Sequence, residues 1–276
     1  MTIRLVSLTF LTATLATLPL ANAAGLYTEG HGDVRAYYQD GQLKLRYQLD
    51  YGGIVDGNEV GSYDEMTGPV PASFELDQLI VSIPETSLAQ SPDNRFDFTG
   101  AAPGEYLWFI PEGADYSLPW LGVSTQELNR EDWSGEVLEQ QNFGYLQLQL
   151  LSVSGPPGSH FSLFYGPQDE LSNPLVHFAT SDGIDSNDVF KGESVHGGTI
   201  PQLSVGTHIH SNWMFTQPGI YDVTLKFSGE HLVDGYKEVS GTVRFEVASV
   251  PEPNTISLVA IGMIALLGVA RKRLER

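Results

Sequence analysis

Short apolar segments with a period of two residues recur along the chain, separated by clusters of glycine, proline and aspartate. Apolar and polar residues alternate over 43–49, and the same period returns in 146–150, 221–227 and 243–247. This alternation is typical of half-buried strands, because successive side chains of a strand point to opposite faces. Asp40-Gly41 is a two-residue hairpin signal between two such segments. The sequence therefore predicts an all-β fold, an antiparallel β-sandwich with Greek-key-like connections.

The N-terminal segment differs from this strand-rich part. Arg4 is followed by a mostly apolar block, and Ala21-Asn22-Ala23 fits the small-x-small rule for signal-peptide cleavage. We therefore expect a secretory signal peptide over 1–23 and one β-sandwich surface domain over 24–249.

The C-terminal segment, 250–276, has three ordered parts: Val250-Pro251-Glu252-Pro253, an apolar run from Thr255 to Ala270, and the basic Arg271-Lys272-Arg273. Such a run reaches about 24 Å as a helix, which is short for a transmembrane span. Basic residues after the run mark its cytoplasmic side. The segment resembles the PEP-CTERM sorting signal of bacterial proteins, which implies recognition by an exosortase. The alternative is an ordinary single-pass anchor.

Either interpretation of the C-terminal segment predicts an exported protein. We expect it at the cell surface or in the extracellular matrix of a Gram-negative-type bacterium, with the C-terminal helix holding it in the membrane until processing. After cleavage near Pro251-Glu252-Pro253 the protein is either retained at the membrane or released.

Charge and cysteine content exclude several functions. The chain carries 14 Lys and Arg against 34 Asp and Glu, a net charge of −20. Nucleic-acid binding through a basic face is therefore not expected. An acidic surface attracts cations, although it also simply keeps a surface protein soluble. Without cysteine, a transition metal has to be held by histidine, carboxylates or water. No nucleophile elbow, His-Glu-x-x-His or phosphate loop is present, so we expect a non-enzymatic protein.

A histidine pair carries most of the chemistry in the sequence. His208, His210 and Asn212 are spaced to share one face of a strand, with the two histidine Cα atoms about 6.5–7 Å apart. Both rings are then able to converge on one zinc ion at ~2.0–2.1 Å. The alternative is two solvated histidines on an outer face.

Six motifs are spread over the strand-rich part of the chain: Gly30-His31-Gly32-Asp33, the segment 155–163, Asp182-Gly183-Ile184-Asp185, the segment 207–215, Pro218-Gly219 with Tyr221, and the closing segment 241–245. Together they resemble a known surface-protein domain, the choice-of-anchor M type. That domain occurs in actinobacterial wall-anchored proteins and in PEP-CTERM proteins repressed by the zinc uptake regulator. The resemblance implies a protein made when zinc is scarce, which binds zinc or helps to acquire it at the envelope. Its partner is then a metal transporter or another surface protein.

The function expected from the sequence is zinc capture through several histidines. His31 lies in the first predicted strand. Because the first and the penultimate strand of a sandwich can be neighbours, we expect His31, His208 and His210 to form a three-histidine site. His160 is the candidate fourth ligand. Asp33 either contacts the His31 ring and orients it as a metal ligand, or is a turn or cap residue. Because imidazole binds metal only when neutral, affinity should weaken as the pH falls below ~6.5.

Two other interpretations remain. The Asp- and Asn-rich stretch 182–188 has the oxygen donors that calcium prefers, without the spacing of an EF-hand loop. The runner-up function is a structural or carbohydrate-binding module of the extracellular matrix, contacting envelope polysaccharide. Four aromatic residues either stack on sugars or fill the core of the sandwich: Trp108, Trp120, Trp133 and Tyr116.

Overall fold

The structure, a computed structural model, describes residues 24–166 and 172–249. The predicted signal peptide and the predicted sorting segment, with its apolar run, lie outside these residues. The described part is mostly β-strand with short 3₁₀ helices, which confirms the all-β class. Within these ranges no helix is long and apolar enough to cross a bilayer.

The first half of the chain contributes strands β1 (Gly25–Gln39), β2 (Gln42–Leu49), β3 (Gly53–Val55), β4 (Asn58–Val60), β5 (Ser62–Asp64), β6 (Gly68–Val70), β7 (Ala72–Phe74), β8 (Leu79–Ile83), β9 (Leu88–Gln90), β10 (Tyr106–Ile110) and β11 (Pro119–Ser124). The second half contributes β12 (Gly135–Leu138), β13 (Gln141–Ser154), β14 (Phe161–Tyr165), β15 (Leu175–Ala179), β16 (Gly192–Glu193), β17 (Thr199–Ile200), β18 (Leu203–Ser204), β19 (His208–His210), β20 (Asn212–Phe215), β21 (Gly219–His231) and β22 (Gly235–Val247). The 3₁₀ helices of the described residues are Leu76–Gln78, Glu85–Ser87, Asn94–Thr99 and Arg130–Asp132.

Two larger sheets contain most of these strands. The first has the order β12-β13-β21-β22-β8-β1-β11-β19, with β2, β3, β4, β7 and β18 paired beside this path. The second has the order β15-β14-β20-β10-β9. The prediction of a wholly antiparallel sheet is wrong at three pairings, because β1 runs parallel to β8 and β11, and β22 runs parallel to β8. An alternating strand has the same sequence pattern whichever way its neighbour runs, so the pattern does not predict strand direction.

The two larger sheets share one hydrophobic core. Trp213 and Phe215 of β20 are fully buried and contact Phe245 of β22, with ring centroids 5.4 and 4.9 Å apart. The apolar residues of the alternating segments in β13, β21 and β22 belong to the same core. The fold of the described residues is therefore two layers of sheet packed around a shared apolar interior, with a smaller apolar cluster that includes Phe96, Phe164 and Met214.

Strand β1 changes its partners at Gly30. Before this residue β1 pairs with β8 and β3, and after it with β11 and β2. Gly30 has a φ of 92°, and a Cβ atom there would lie 2.8 Å from the Cα atom of Gly53. Glycine is required at such a position, since other residues rarely adopt this φ and the space is filled by backbone. The change of partners places the next residue, His31, beside β11.

Candidate metal centre

Three neighbouring strands, β1, β11 and β19, bring the predicted histidines to one face of the larger sheet. Asp33 of β1 lies opposite Gly122 of β11, and Gly122 lies opposite His210 of β19. His31 precedes Asp33 by two residues, and His208 precedes His210 by two. Because alternate residues of a strand share a face, all three histidines project to the same side.

The three histidines form the one group of potential metal ligands of this kind found in the described residues. One ligand atom from each of His31, His208 and His210 lies within 4.8 Å of the other two. The Nε2 atoms of His31 and His210 are 2.9 Å apart. In a tetrahedral zinc site with Zn–N bonds of ~2.0–2.1 Å, ligand nitrogens are about 3.3 Å apart. A small adjustment of the side chains therefore suffices to bring the three rings to one ion.

The strands that carry the histidines are not direct neighbours. β11 lies between β1 and β19, so the rings meet across an intervening strand rather than across one ladder. Gly122 allows this approach, because a Cβ atom there would lie 2.9 Å from Cε1 and 3.0 Å from Nε2 of His210. A side chain at this position would displace the His210 ring.

Asn212, expected on the histidine face, lies elsewhere. The chain leaves the larger sheet after His210, and Asn212 begins β20 of the second sheet. Its side-chain amide donates to Glu112 Oε2 at 2.9 Å and its carbonyl oxygen accepts from the Glu112 N–H at 3.1 Å. A period of two residues does not show where a chain passes from one sheet to another.

Asp50 fixes the ring of His31, a role for which the sequence suggested Asp33. His31 Nδ1 is 2.6 Å from Asp50 Oδ2, and the Asp50 N–H donates to the His31 carbonyl at 3.0 Å. A carboxylate on Nδ1 keeps the proton there and leaves Nε2 to bind a metal. Burial disfavours charge on His31, but the hydrogen bond that His31 donates to Asp50 and the charges of Asp33 and Asp50 outweigh it and raise the pKa of His31. The same hydrogen bond lowers the pKa of Asp50.

His210 is held as a neutral ring. It is largely buried and stacks on Trp120 with a centroid distance of 3.9 Å and an angle of 19°. Burial, with the nearby His31 and His208, lowers the pKa of His210 to about 3. A neutral imidazole in a fixed plane is the form that a metal requires.

Gln126 contacts the third histidine. Arg35 Nη2 donates to Gln126 Oε1 at 3.2 Å, so the amide nitrogen of Gln126 faces His208 Nδ1 at 2.9 Å. In this arrangement His208 Nδ1 accepts a hydrogen bond, and a neutral His208 ring carries its proton on Nε2. Metal binding at Nε2 therefore requires this proton to move.

His160 is not brought to the group. Its ring packs beside Gly100, where a Cβ atom would lie 2.5 Å from His160 Cδ2, and its N–H donates to Thr216 Oγ1 at 2.7 Å. The candidate fourth ligand of the sequence analysis thus lies at another part of the molecule, because the turn before β14 directs it toward the second sheet.

Two carboxylates of the acidic stretch 182–188 accept hydrogen bonds from backbone N–H groups. Asp188 accepts from the N–H groups of Ala179 and Asp185 at 3.0 and 2.8 Å, and Asp185 accepts from the N–H of Asn187 at 2.6 Å. These bonds account for two of its carboxylates as turn-forming groups.

Two of the four aromatic residues considered for sugar stacking are core residues. Trp108 and Trp133 are 5% and 1% exposed. Trp120 stacks on His210, and Tyr116, which is exposed, meets Trp120 edge-on at 5.4 Å. Trp120 therefore belongs to the histidine site.

His177, which lies outside the three-histidine group, is expected to make the stability of the fold depend on pH. Burial, together with the charge of Lys191, lowers the pKa of His177 to about 3, against ~6.5 in an unfolded chain. The unfolded state thus binds a proton that the folded state does not between these values, and stability falls as the pH falls. We expect a loss of up to about 1.4 kcal/mol per pH unit from this residue below pH ~6.5. Urea unfolding of His177→Phe, which keeps a ring against Phe190, should show a shallower loss; an unchanged slope would contradict the assignment.

In the sequence, the all-β domain that carries the histidine cluster is followed by a C-terminal segment that matches a known sorting signal. Residues 249–273 match the PEP-CTERM protein-sorting motif. The motif supports a PEP-CTERM protein, exported to the cell envelope, with the exosortase that recognises the signal as its partner. The chain matches no curated protein and no solved structure significantly.

Proposed function

We propose that this exported protein binds one divalent transition-metal ion, zinc foremost, through His31, His208 and His210. The observation that carries the proposal is the convergence of three imidazoles from the first strand and a late strand, with ligand atoms within 4.8 Å of one another. Imidazole also suits copper and nickel, whereas calcium prefers oxygen ligands. Asp50 and Trp120 hold two of the rings, so the site is largely formed before an ion arrives.

The biological role we propose is zinc capture at the cell envelope under zinc limitation. Its support is the resemblance of the histidine motifs to choice-of-anchor M proteins under the zinc uptake regulator. The net charge of −20 concentrates cations near the surface, and His208 is exposed, so an ion has access from solvent. The protein has no catalytic role in this proposal. It is held by the sorting segment in a Gram-negative-type envelope until processing, and a metal transporter receives the ion.

The test is a metal count on the purified protein. Separate samples are dialysed to equilibrium against zinc, copper, nickel and calcium, and the bound ions are counted by elemental mass spectrometry. We expect one zinc ion per chain and no stoichiometric calcium. An absence of every ion, together with retention on a polysaccharide resin, would instead support the matrix-module alternative.

Gln126→Glu is expected to tighten zinc binding. A carboxylate at this position accepts hydrogen bonds from Arg35 and from a protonated His208 Nδ1. The proton of His208 then rests on Nδ1, and Nε2 is free to bind the metal. We expect about tenfold higher affinity, at the low end of outer-shell effects, measured by competition with a chromogenic chelator. Gln126→Leu, which removes both hydrogen bonds without supplying an acceptor for His208 Nδ1, is the control and should bind zinc more weakly than the Glu variant. Weaker binding by the Glu variant would contradict this view of His208.

A further inference from the structure

Asp33 carries a buried carboxylate oxygen that no group in the described residues satisfies. Asp33 is 1% exposed, and its Oδ2 accepts from Arg35 Nη2 at 3.1 Å. The other oxygen, Oδ1, is buried and has no hydrogen-bond partner. A buried polar atom without a partner is unfavourable by about 1–3 kcal/mol, and more when it is charged. The ion pair with Arg35 therefore accounts for the burial of Oδ2 but not for the burial of Oδ1.

The unpartnered oxygen lies beside the same glycine as the His210 ring. A Cβ atom on Gly122 would lie 2.4 Å from Asp33 Oδ1 and 3.0 Å from His210 Nε2. His210 Nε2 is in turn 2.9 Å from His31 Nε2. Because Gly122 lacks a side chain, the carboxylate oxygen and the His210 nitrogen border a space that only a glycine leaves free.

We propose that Asp33 Oδ1 is the fourth ligand of the metal, completing a site of three histidines and one carboxylate. This inference rests on the proposed function. Carboxylate oxygens bind zinc at ~2.0–2.2 Å, and four protein ligands make a closed site with no position for a water ligand. The bound ion gives Oδ1 its partner, and the negative charge of Asp33 offsets half of the charge of a divalent ion.

A closed site gives the capture role a chemical basis. An open three-histidine site keeps a water that the metal activates for hydrolysis. With Asp33 as a ligand, that position is taken, so the ion is held rather than used. Gly122 then has a specific role, since any side chain at this position would fill the space between Asp33 and His210.

The experiment uses cobalt(II) added to the purified full chain, because its visible spectrum reports coordination, with azide as a small anion that binds open positions. We expect the spectrum of the cobalt-loaded wild type to be unchanged by azide. Asp33→Asn should bind cobalt more than about 100-fold more weakly, beyond the 10–100-fold effect of losing an outer-shell partner, and should respond to azide when saturated. Asp50→Asn is the matched control: it should lose about 10–100-fold in affinity and stay insensitive to azide.

Two further results separate this inference from the proposed function. A wild-type spectrum that shifts with azide, or wild-type affinity in Asp33→Asn, would overturn Asp33 as a ligand while leaving the three-histidine site intact. Failure of the wild type to bind cobalt or zinc would overturn both. Should circular dichroism show that Asp33→Asn does not fold, the azide titration of the cobalt-loaded wild type decides the question, because Gly122→Ala would also displace His210.

Discussion

Alanine at both His208 and His210 is expected to reduce bound zinc from one ion per chain to none. The double substitution leaves His31 as the only imidazole of the group, and a single imidazole does not hold a divalent ion in dilute solution. Zinc should stabilise the wild type by about 2.7 kcal/mol when free zinc is ~100 times the dissociation constant. The double variant should show no such gain. Zinc content after dialysis and thermal unfolding with and without zinc measure both effects.

The matched control replaces two histidines outside the group. His160 lies beside Gly100, and His196 lies in an exposed turn. His160→Ala with His196→Ala should keep one zinc ion and the full thermal gain. One zinc ion retained by the His208 and His210 variant would contradict the proposed ligand set.

Trp213→Ala is expected to destabilise the protein by about 3–5 kcal/mol, as truncation of a large buried aromatic does. Trp213 is fully buried, contacts Phe161 and Phe245 with ring centroids 6.1 and 5.4 Å apart, and donates from Nε1 to the Leu121 carbonyl at 2.9 Å. Leu121 directly precedes Gly122 in β11, so the hydrogen bond from Trp213 also fixes the backbone beside His210. Urea unfolding gives the stability, and a zinc titration should show weaker binding in this variant.

Trp213→Phe separates packing from hydrogen bonding. It keeps a ring in the core but leaves the Leu121 carbonyl without its donor, so we expect a smaller loss, of about 1–3 kcal/mol. A loss below about 1 kcal/mol for Trp213→Ala would show that the two sheets do not depend on this contact.

The strand pattern was predictable from the sequence, but the order of the strands was not. Alternation over 43–49 and 221–227 follows from local burial on one face, and both segments are strands. The parallel pairing of β1 with β11 depends on contacts between residues far apart in sequence. No local pattern encodes such pairings, because every alternating strand offers the same kind of apolar face.

The histidine site was predictable in part. The spacing of His208 and His210 placed both on one strand face, whereas the inclusion of His31 came from a resemblance. Asp50 was missed although the sequence contained a signal for it: counting pairs back from the hairpin at Asp40-Gly41 places Asp50 opposite His31, as the backbone hydrogen bond between them confirms. The role of Gly122 depends on β11 lying between the two histidine strands, and the sequence gives no sign of that.

X-ray absorption at the zinc edge of the loaded protein shows directly which atoms surround the ion. We expect one ion with three imidazole nitrogens at ~2.0–2.1 Å and one oxygen ligand, and loss of one imidazole in His31→Ala. An ion surrounded only by oxygens, or a spectrum unchanged by His31→Ala, would show that the first strand and the late strand do not meet around a metal.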